Sequence, residues 1–266
     1  MAQTADPVAP LLAWYAGAAR DLPWRRPDAG PWAVLVSEVM LQQTPVSRVL
    51  PAYEAWLARW PTPRSLAVDR PGEVVRMWGR LGYPRRALRL HEAARAVVER
   101  HAGQIPADLD SLRALPGVGE YTARAVAAFA FRARHPVVDT NVRRVVARVV
   151  EGQGDAGPVT RGDLALVESL LPADPATAAR ASAAFMELGA LVCTARSPRC
   201  TTCPLRVVCA WRRAGGPPYR GPSRRPQPFA GTDRQVRGRL LGVLRESPGP
   251  VPAELLEQVW DEPVQR

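Results

Sequence analysis

The feature that most constrains this chain is a set of four cysteines crowded into 17 residues near the end of the sequence. They are the only cysteines among its 266 residues and follow the spacing C-x6-C-x2-C-x5-C: Cys193, Cys200, Cys203 and Cys209. Four thiolates this close in sequence can surround one tetrahedral inorganic centre. The segment is therefore predicted to fold around a metal or a metal cluster.

Three chemistries compete for these cysteines. Two disulfides are disfavoured, because the chain begins without the basic and apolar regions of a secretion signal. Zinc sites usually use two CxxC pairs separated by a longer loop, whereas this chain has one CxxC with a single cysteine on each side. Iron–sulfur clusters also take four thiolates. The spacing favours an iron–sulfur cluster and leaves zinc open.

The charge balance points to a polyanionic partner. The formal net charge is +11, the pI is about 10.7, and all 36 basic residues are arginine. A strongly cationic soluble protein suggests nucleic acid as the first candidate partner, and a chain without lysine has no side-chain amine to form a Schiff base. No uncharged apolar run approaches the roughly 18 residues that span a bilayer. We expect a cytoplasmic, nucleoid-associated monomer with no membrane partner.

Apolar periodicity and a high content of helix-forming residues predict an all-α fold. Proline at several first turns marks helix starts. The predicted helices cover residues 8–19, 31–43, 45–59, 71–80, 85–101, 108–114, 119–132, 140–150, 160–171, 175–191, 204–213, 233–245 and 252–260. Residues 214–232 are predicted to be a basic linker, and residues 233–266 a partial helical module.

The segment LPGVGEYTA, residues 115–123, joins two predicted helices. Gly117 and Gly119, on either side of Val118, let the backbone turn tightly and approach another molecule. Their N–H groups beside a helix N-terminus would form an anion site, for which a DNA phosphate is the natural ligand. An ordinary glycine-containing turn between helices is the alternative.

Two carboxylates are candidate catalytic groups. Asp139, in VVDTNVRRV, precedes an amphipathic helix, so it is either an N-cap or a carboxylate kept ionised by the helix dipole beside a cationic transition state. Glu38, in SEVMLQQTP, lies among apolar residues, so it is either exposed or buried with a raised pKa that makes it a proton donor. Gln42 and Gln43 close the same helix, either as surface residues or as amides that enter a base stack.

These segments and the cysteine pattern occur together, and in this order, in the MutY family, which the chain resembles over about residues 8–213. That family comprises adenine DNA glycosylases of the helix–hairpin–helix, endonuclease III-like superfamily. The resemblance implies a 4Fe-4S cluster on the four cysteines and an all-α fold with a DNA-binding cleft between two lobes. One lobe would combine residues 1–30 and 134–213, and the other would be a six-helix barrel of residues 31–133.

The resemblance also implies a reaction. The enzyme would flip an adenine mispaired with 8-oxoguanine or guanine out of double-stranded DNA and hydrolyse its N-glycosidic bond without lyase activity. Glu38 matches the acid that protonates adenine N7 and later assists water, and Asp139 matches the carboxylate that stabilises the oxocarbenium-like sugar. Tyr121 and Asn141 match residues that orient this pair.

Further residues are implied to contact DNA. Gln42 and Gln43 match a wedge that occupies the disrupted base pair, and Tyr83 matches an intercalating aromatic. Arg26 and Trp32 are candidates for the adenine pocket. Arg196 and Arg199, beside the cysteines, are expected to contact phosphates.

Two departures from the family pattern are visible. Pro84 follows Tyr83 where the family commonly has a second tyrosine, and the 57 residues after Cys209 do not resemble the Nudix-related domain that reads 8-oxoguanine. Lesion discrimination is then expected to come from the catalytic lobes or to be reduced.

Three alternatives remain: a thymine-mismatch glycosylase, an endonuclease III-like lyase, and a non-catalytic cluster-bearing DNA-binding protein. Tyr121 stands where lyases carry lysine. Glu38 with the two glutamines favours adenine over thymine. The presence of both Glu38 and Asp139 argues against a protein without catalysis.

Overall fold

The computed structural model describes residues 6–154, 157, 159–218, 229–247 and 249–259. Over these ranges every regular element is a helix, and no strand occurs. The prediction of an all-α fold is therefore confirmed. None of these helices is long and apolar enough to cross a membrane.

The helices follow one another with short connections. The first seven are α1 (Val8–Ala18), α2 (Pro31–Leu41), α3 (Val46–Arg59), α4 (Pro63–Ala67), α5 (Pro71–Trp78), α6 (Arg85–Arg100) and α7 (Leu109–Arg113). The next seven are α8 (Glu120–Phe131), α9 (Thr140–Val146), α10 (Arg161–Leu170), α11 (Pro175–Leu191), α12 (Ala210–Arg213), α13 (Asp233–Glu246) and α14 (Ala253–Glu257).

Most predicted helices are confirmed with small shifts at their ends, but three segments differ. The predicted helix 204–213 is wrong over its first half, where the chain runs in turns that bring Cys203 and Cys209 to one recess. The predicted helix 140–150 ends as an α-helix at Val146 and continues as a π-helical turn, Ala147–Glu151. Helix α4 was not predicted, because its five residues are too short for a periodic signal.

The described residues bury two main hydrophobic cores. The larger core lies between residues 22 and 127, and its centre is Trp56, whose ring packs edge-on against Trp60 and Trp78 at centroid distances of 4.6 and 5.5 Å. The second core combines α1 with residues 138–209. The chain thus returns its N-terminal helix to the region that carries the cysteines.

Helix α2 is buried on almost every side, and this burial determines the chemistry of Glu38. The helix begins at Pro31, whose fixed φ suits a first helical position. Eight of its eleven residues are buried, including Ser37 and Glu38. It packs against α3, α6 and α8. A carboxyl on this helix therefore lies inside the protein.

Helices α9 and α11 approach each other closely at Gly189. A Cβ added at Gly189 would lie 2.6 Å from Cβ of Asn141 and 2.9 Å from its carbonyl oxygen. A side chain at Gly189 would therefore displace Asn141. This contact holds the start of α9 against the second core.

The C-terminal helices lie outside both cores. No residue of α13 or α14 is buried. Arg76 of α5 donates hydrogen bonds to the carbonyl oxygens of Arg245 and Ser247, each at 3.2 Å, and so joins the end of α13 to the first core. Most of the predicted basic linker, residues 219–228, lies outside the described residues.

Candidate active site and cysteine cluster

Glu38 is a buried carboxyl with a raised pKa. Glu38 is only 7% exposed to solvent. The pKa of Glu38 is raised to about 7, chiefly by burial and also by the negative charge of Asp139, although a hydrogen bond from Tyr121 and the charge of Arg25 oppose the rise. The group is therefore close to half protonated at neutral pH. The buried interpretation of this glutamate is the one the structure supports.

Asp139 is an N-cap that lies beside Glu38. Its Oδ1 accepts the backbone N–H groups of Asn141 at 2.9 Å and Val142 at 2.7 Å. Its Oδ2 accepts the side-chain amide of Asn141 at 2.8 Å. Burial raises the pKa of Asp139, and these three bonds and the charge of Arg144 oppose that rise by stabilising the ionised form. The N-cap interpretation is therefore confirmed, and the same bonds favour the ionised carboxylate that the catalytic interpretation requires.

Tyr121 lies near both carboxylates. It is the second residue of α8, directly after the turn formed by residues 115–119. Burial and the charges of Glu38 and Asp139 raise the pKa of its phenol well above the ordinary value, so the hydroxyl stays protonated and can donate to Glu38. The glycine turn thus sets the position of a side chain in the carboxylate site.

A run of hydrogen bonds leads from Asp139 to the first cysteine. Asn141 donates to Asp139 and accepts from Nη2 of Arg144 at 2.8 Å. Arg144, which is 8% exposed, also donates to the carbonyl oxygens of Gly189 and Cys193, both at 2.8 Å. The α9 side chains and the cysteine segment are therefore held in one arrangement.

Three charged residues of this region were not predicted from the sequence. Glu187 of α11 is fully buried and accepts hydrogen bonds from Arg20 and Arg25. Arg25 lies close enough to Glu38 to lower its pKa. The pairing joins residues 162 and 167 positions apart, so local spacing carries no signal of it. The one signal in the sequence is that Glu187 is the only acidic residue of α11 and lies between apolar neighbours.

The predicted DNA-probing residues lie at two adjacent turns. Gln43 is exposed and Tyr83 is 54% exposed, and both have left-handed backbone angles, with φ of 55° and 47°. Gln42 is half-buried, and its amide donates to the hydroxyl of Thr122 on α8 at 3.4 Å. The two exposed side chains are therefore free to reach a partner.

The turn before α8 requires glycine at one position. Gly117 has φ of 78°, and a Cβ there would lie 2.7 Å from Cβ of Arg89. Val118 is buried, and its N–H donates to the carbonyl oxygen of Leu115 at 3.1 Å. Gly119 is the N-cap of α8. The turn is thus tight, and its outer face borders an arginine-lined groove.

Three of the other candidate residues have defined hydrogen-bond or ion-pair partners, and a fourth is exposed. Trp32 is buried, and its indole N–H donates to the carbonyl oxygen of Trp60 at 3.0 Å. Arg26 is exposed and pairs with Asp21 at 2.9 Å. Arg196 is exposed, and the guanidinium of Arg199 donates to the carbonyl oxygen of Leu191.

The four cysteines line one recess, together with α9 and α11 residues and Trp211. Arg148, which is 3% exposed, donates to Sγ of Cys193 at 3.3 Å and to the carbonyl oxygens of Thr194 and Ala195. Its guanidinium lies over the ring of Trp211 at 4.9 Å. A buried cation against a thiol suits a centre whose thiolate ligands carry negative charge.

The thiols share one recess, but within the described ranges no group of three or more His, Cys, Asp or Glu side chains is arranged to hold a metal ion. The pKa of Cys203 is raised to about 11, chiefly by burial and also by the other three thiols, so a cationic centre is needed to keep the ligands deprotonated.

Comparison with known proteins identifies the same two regions. A family model described as HhH-GPD superfamily base excision DNA repair protein matches residues 36–160. One described as the iron-sulfur binding domain of endonuclease III matches residues 193–209, which indicates an iron–sulfur cluster on the cysteines.

Known relatives cover almost the whole chain. The adenine DNA glycosylase of Mycolicibacterium smegmatis is 59% identical over 96% of this chain and 86% of its own length. That of Mycobacterium tuberculosis is 58% identical over 94% of this chain and 82% of its own length. The solved structure of a thermostable thymine-DNA glycosylase matches with a TM-score of 0.70 at 26% identity, over 78% of this chain and 95% of that one. The predicted helix–hairpin–helix glycosylase fold is therefore confirmed.

Proposed function

This chain belongs to the adenine DNA glycosylases of the HhH-GPD superfamily, and from that membership we propose that it hydrolyses the N-glycosidic bond of adenine mispaired with 8-oxoguanine or guanine. The glycosidic bond of a stacked base is unreachable, so the adenine must leave the duplex before reaction. The observation that carries the proposal is the pair of buried carboxyls whose surroundings differ in their effect on ionisation.

Glu38 supplies the proton. With a pKa of about 7 it is substantially protonated at neutral pH, and it can protonate N7 of the flipped adenine. Protonation lets the base leave with the electron pair of the bond between C1′ and N9. The Glu38 carboxylate that remains can then take a proton from the water that attacks C1′, which restores the acid.

Asp139 stabilises the sugar. Loss of the base leaves positive charge spread over C1′ and the ring oxygen, and an ionised carboxylate opposite that charge lowers the barrier. The three hydrogen bonds that Asp139 accepts from Asn141 and Val142 favour its ionised form. Tyr121 orients Glu38, and Asn141 orients Asp139.

The product is an intact abasic strand. A lyase needs an amine that condenses with C1′ of the sugar, and this chain has no lysine. The phenol of Tyr121 cannot form that imine. Borohydride trapping during adenine release should capture only trace DNA–protein adduct, through the N-terminal amine. Efficient covalent capture would contradict the monofunctional mechanism.

DNA binding follows from the family, and the roles of individual residues in it are our proposal. Gln43 and Tyr83 enter the duplex from two adjacent turns, with Gln42 beside them. Residues 117–119 bind a phosphate at the start of α8, where the helix dipole favours an anion. Arg196 and Arg199 contribute phosphate contacts. Each phosphate contact that is lost should flatten the slope of log K against log salt by about 0.9.

The iron–sulfur cluster is proposed to be of the 4Fe-4S type, held by the four cysteines. When bound, it supplies four metal–thiolate bonds that cross-link the C-terminal segment. Arg148 and Arg144 hold the cysteine segment against α9 through backbone carbonyl oxygens. Metal analysis should find about four irons per chain. Stoichiometric zinc without iron would contradict this.

One experiment separates the proposal from its rivals. Single-turnover release should be measured on duplexes with adenine opposite 8-oxoguanine, adenine opposite guanine, and thymine opposite guanine. We expect release of adenine from the first two and none of thymine from the third. Release of thymine alone would instead indicate an activity like that of the thymine-DNA glycosylase whose structure resembles this fold. Binding without release would indicate a non-catalytic protein.

The division into lobes at residues 30 and 133, the monomeric state and the nucleoid-associated location remain proposals. The two separate cores support the boundary near residue 133, but Leu22 and Trp24 pack in the larger core, which favours a first boundary before residue 22 rather than at residue 30. Size-exclusion chromatography with light scattering measures the monomer directly.

A further inference from the structure

Two turns on one face of the molecule store backbone strain. Only four non-glycine residues within the described ranges have positive φ, and two of them are Gln43 and Tyr83. A non-glycine residue is strained in this region and persists there only where surrounding contacts hold it. These two residues are also the exposed side chains proposed to enter DNA. Something must therefore hold both turns in place.

The guanidinium of Arg86 on α6 contacts the first turn. Its Nη1 donates to the carbonyl oxygens of Val39 at 2.8 Å, Met40 at 3.0 Å and Gln42 at 2.7 Å. These oxygens end α2, where backbone carbonyl groups lack helical partners and carry partial negative charge. One side of Arg86 thus closes the helix that carries Glu38 and fixes the residue before Gln43.

The other nitrogen of the same guanidinium contacts the second turn. Nη2 donates to the carbonyl oxygens of Leu81 at 3.3 Å and Gly82 at 3.1 Å, and to the hydroxyl of Thr44 at 3.0 Å. The Thr44 hydroxyl in turn lies 3.2 Å from the carbonyl oxygen of Gln42 and 3.4 Å from that of Leu81. Both turns therefore share one cation and one hydroxyl.

Aromatic rings complete the surroundings of Arg86. Its guanidinium carbon lies 5.1 Å from the ring centroid of Trp78 and 5.7 Å from that of Tyr83. The indole of Trp78 also donates to the carbonyl oxygen of Gly82 at 2.9 Å. The intercalating tyrosine thus contacts the same cation that fixes the glutamine turn.

Only arginine can make this arrangement. The planar fork presents fixed donors to several acceptors at once, whereas lysine offers a compact ammonium with three donors. The two terminal nitrogens carry four N–H groups, so the six acceptors share them in three-centre bonds. All six acceptors are neutral oxygens, and no carboxylate pairs with Arg86 among the salt bridges of the described residues. A partly buried cation without a counter-charge is retained for its geometry rather than for an ion pair.

We propose that Arg86 is a positioning residue that joins the turn at Gln42 and Gln43 to the turn at Gly82 and Tyr83, so that both probes enter the duplex as one rigid unit. The proposal rests on the proposed DNA glycosylase function for its consequence, but the joining itself is a property of the DNA-free protein. Loss of the Arg86 hydrogen bonds should leave both probe side chains present but no longer fixed in position relative to each other.

The first test measures the connection between the two turns in the DNA-free protein and does not depend on activity. Arg86→Lys keeps the charge and removes the fork, and Arg85→Lys is the matched control, since Arg85 is the exposed neighbour on the same helix. Hydrogen exchange of the DNA-free proteins should become at least several-fold faster in peptides 40–46 and 79–86 of Arg86→Lys alone. Exchange in peptide 175–191 should not change in either variant.

Two outcomes of this test would overturn the proposal: faster exchange in one turn only, or a uniform increase across the chain. Should Arg86→Lys not fold, Thr44→Val removes the shared hydroxyl and should produce a smaller increase in the same two peptides. An unchanged exchange rate in Thr44→Val would then overturn it.

The second test measures the coupling between Arg86 and Tyr83 when the protein acts on DNA. The loss of kcat/KM from Tyr83→Ala should be at least about fivefold smaller in the Arg86→Lys background, because coupled residues are non-additive. Fluorescence of 2-aminopurine placed beside the mispair should fall with Tyr83→Ala only when Arg86 is intact. Full additivity would contradict the joint. Failure of the wild type to release adenine would contradict the proposed function and leave the exchange test valid.

Discussion

Two buried glutamates in this molecule have opposite acid strengths. Glu38 on α2 and Glu187 on α11 are both almost inaccessible to solvent. The pKa of Glu38 is raised to about 7, whereas that of Glu187 is lowered to about 2. Burial raises both, so the difference comes from their partners. Glu187 accepts hydrogen bonds from Arg20 and Arg25, while Glu38 faces a phenol and a second carboxylate.

The comparison shows how one fold keeps one carboxyl reactive and another permanently charged. Glu187 holds two arginines in place and exchanges no proton near neutrality. Glu38 is left without a paired cation, so its proton is available near neutrality, as its proposed role requires. The two sites share Arg25, which is bonded to Glu187 and acts on Glu38 only through its charge.

The largest expected effect follows the removal of the reactive proton. Glu38→Gln keeps the shape of the side chain but cannot donate a proton, so adenine release should fall by about 10²–10⁴-fold. DNA affinity, measured by fluorescence anisotropy, should stay within a few-fold of wild type. A single-turnover rate near that of wild type would show that Glu38 is not the acid.

Asp139→Asn should cost about 10²–10³-fold in the same rate, the range for removing one preorganised electrostatic contact. The substitution also removes the negative charge that raises the pKa of Glu38. In the pH–rate profile of the residual activity, the alkaline limb should therefore lie at a lower pH than in wild type. An alkaline limb that does not move would show that the two carboxyls are not electrostatically coupled.

Substitution of Glu187 should affect stability rather than chemistry. Its folded pKa lies below the ordinary value of 4.5, so its contribution to stability is present above pH 4.5 and is lost as pH falls toward about 2. Breaking a buried ion pair on one side costs about 3 kcal/mol. Urea unfolding of Glu187→Gln at pH 7 should show this loss, and the difference from wild type should shrink on acidification.

Glu38→Gln is the matched control for that experiment, with the opposite sign. The folded pKa of Glu38 is raised above 4.5, so keeping it buried costs increasing stability as pH rises through the range from 4.5 to about 7. Glu38→Gln should therefore be more stable than wild type at pH 8 and similar at pH 4.5. Destabilisation of both variants at pH 8 would contradict the difference between the two sites.

The pH dependence of the wild type should show the acid directly. Above about pH 7 the fraction of protonated Glu38 falls tenfold per unit, and the single-turnover rate should fall with it. At low pH the rate should fall again as Asp139 becomes protonated. The two limbs belong to the coupled pair, so they should be fitted together. A rate that does not change from pH 6 to pH 9 would exclude Glu38 as the proton donor.

The sequence predicted the elements of this site better than their surroundings. Helix periodicity placed α2, α8 and the start of α9 correctly, and the family resemblance selected Glu38, Tyr121 and the N-cap Asp139. Sequence alone could not decide whether Glu38 is buried, because α2 is apolar nearly all round and has no single core-facing side. Only the packing of α8 and the first core against it settles the burial.

Contacts between distant residues could not be predicted. Arg25 and Glu187 are separated by 162 positions, and many arginines in this chain could have paired with that glutamate. Arg86 bonds chiefly to backbone carbonyl oxygens, which every residue type presents, so the identity of its partners leaves no pattern in the sequence. The residues after Cys203 were wrongly predicted to be helical because their composition favours helix. They form turns instead, and these turns bring Cys203 and Cys209 to the same recess.

The smallest expected effect tests the residue that the two glutamates share. Arg25→Gln removes a positive charge that lowers the pKa of Glu38, so the alkaline limb of the rate should move to higher pH. Arg20→Gln is the matched control, because Arg20 also bonds Glu187 but is not among the charges that act on Glu38. Both variants weaken the Glu187 site and should lose stability to a similar extent.

The ratio of rates at pH 8.5 and pH 6.5 cancels any general loss of activity. This ratio should rise in Arg25→Gln alone, by less than tenfold. An equal change of this ratio in both variants would mean that the Glu187 site acts on Glu38 through packing, and the two glutamates would then be one coupled system rather than two separate ones.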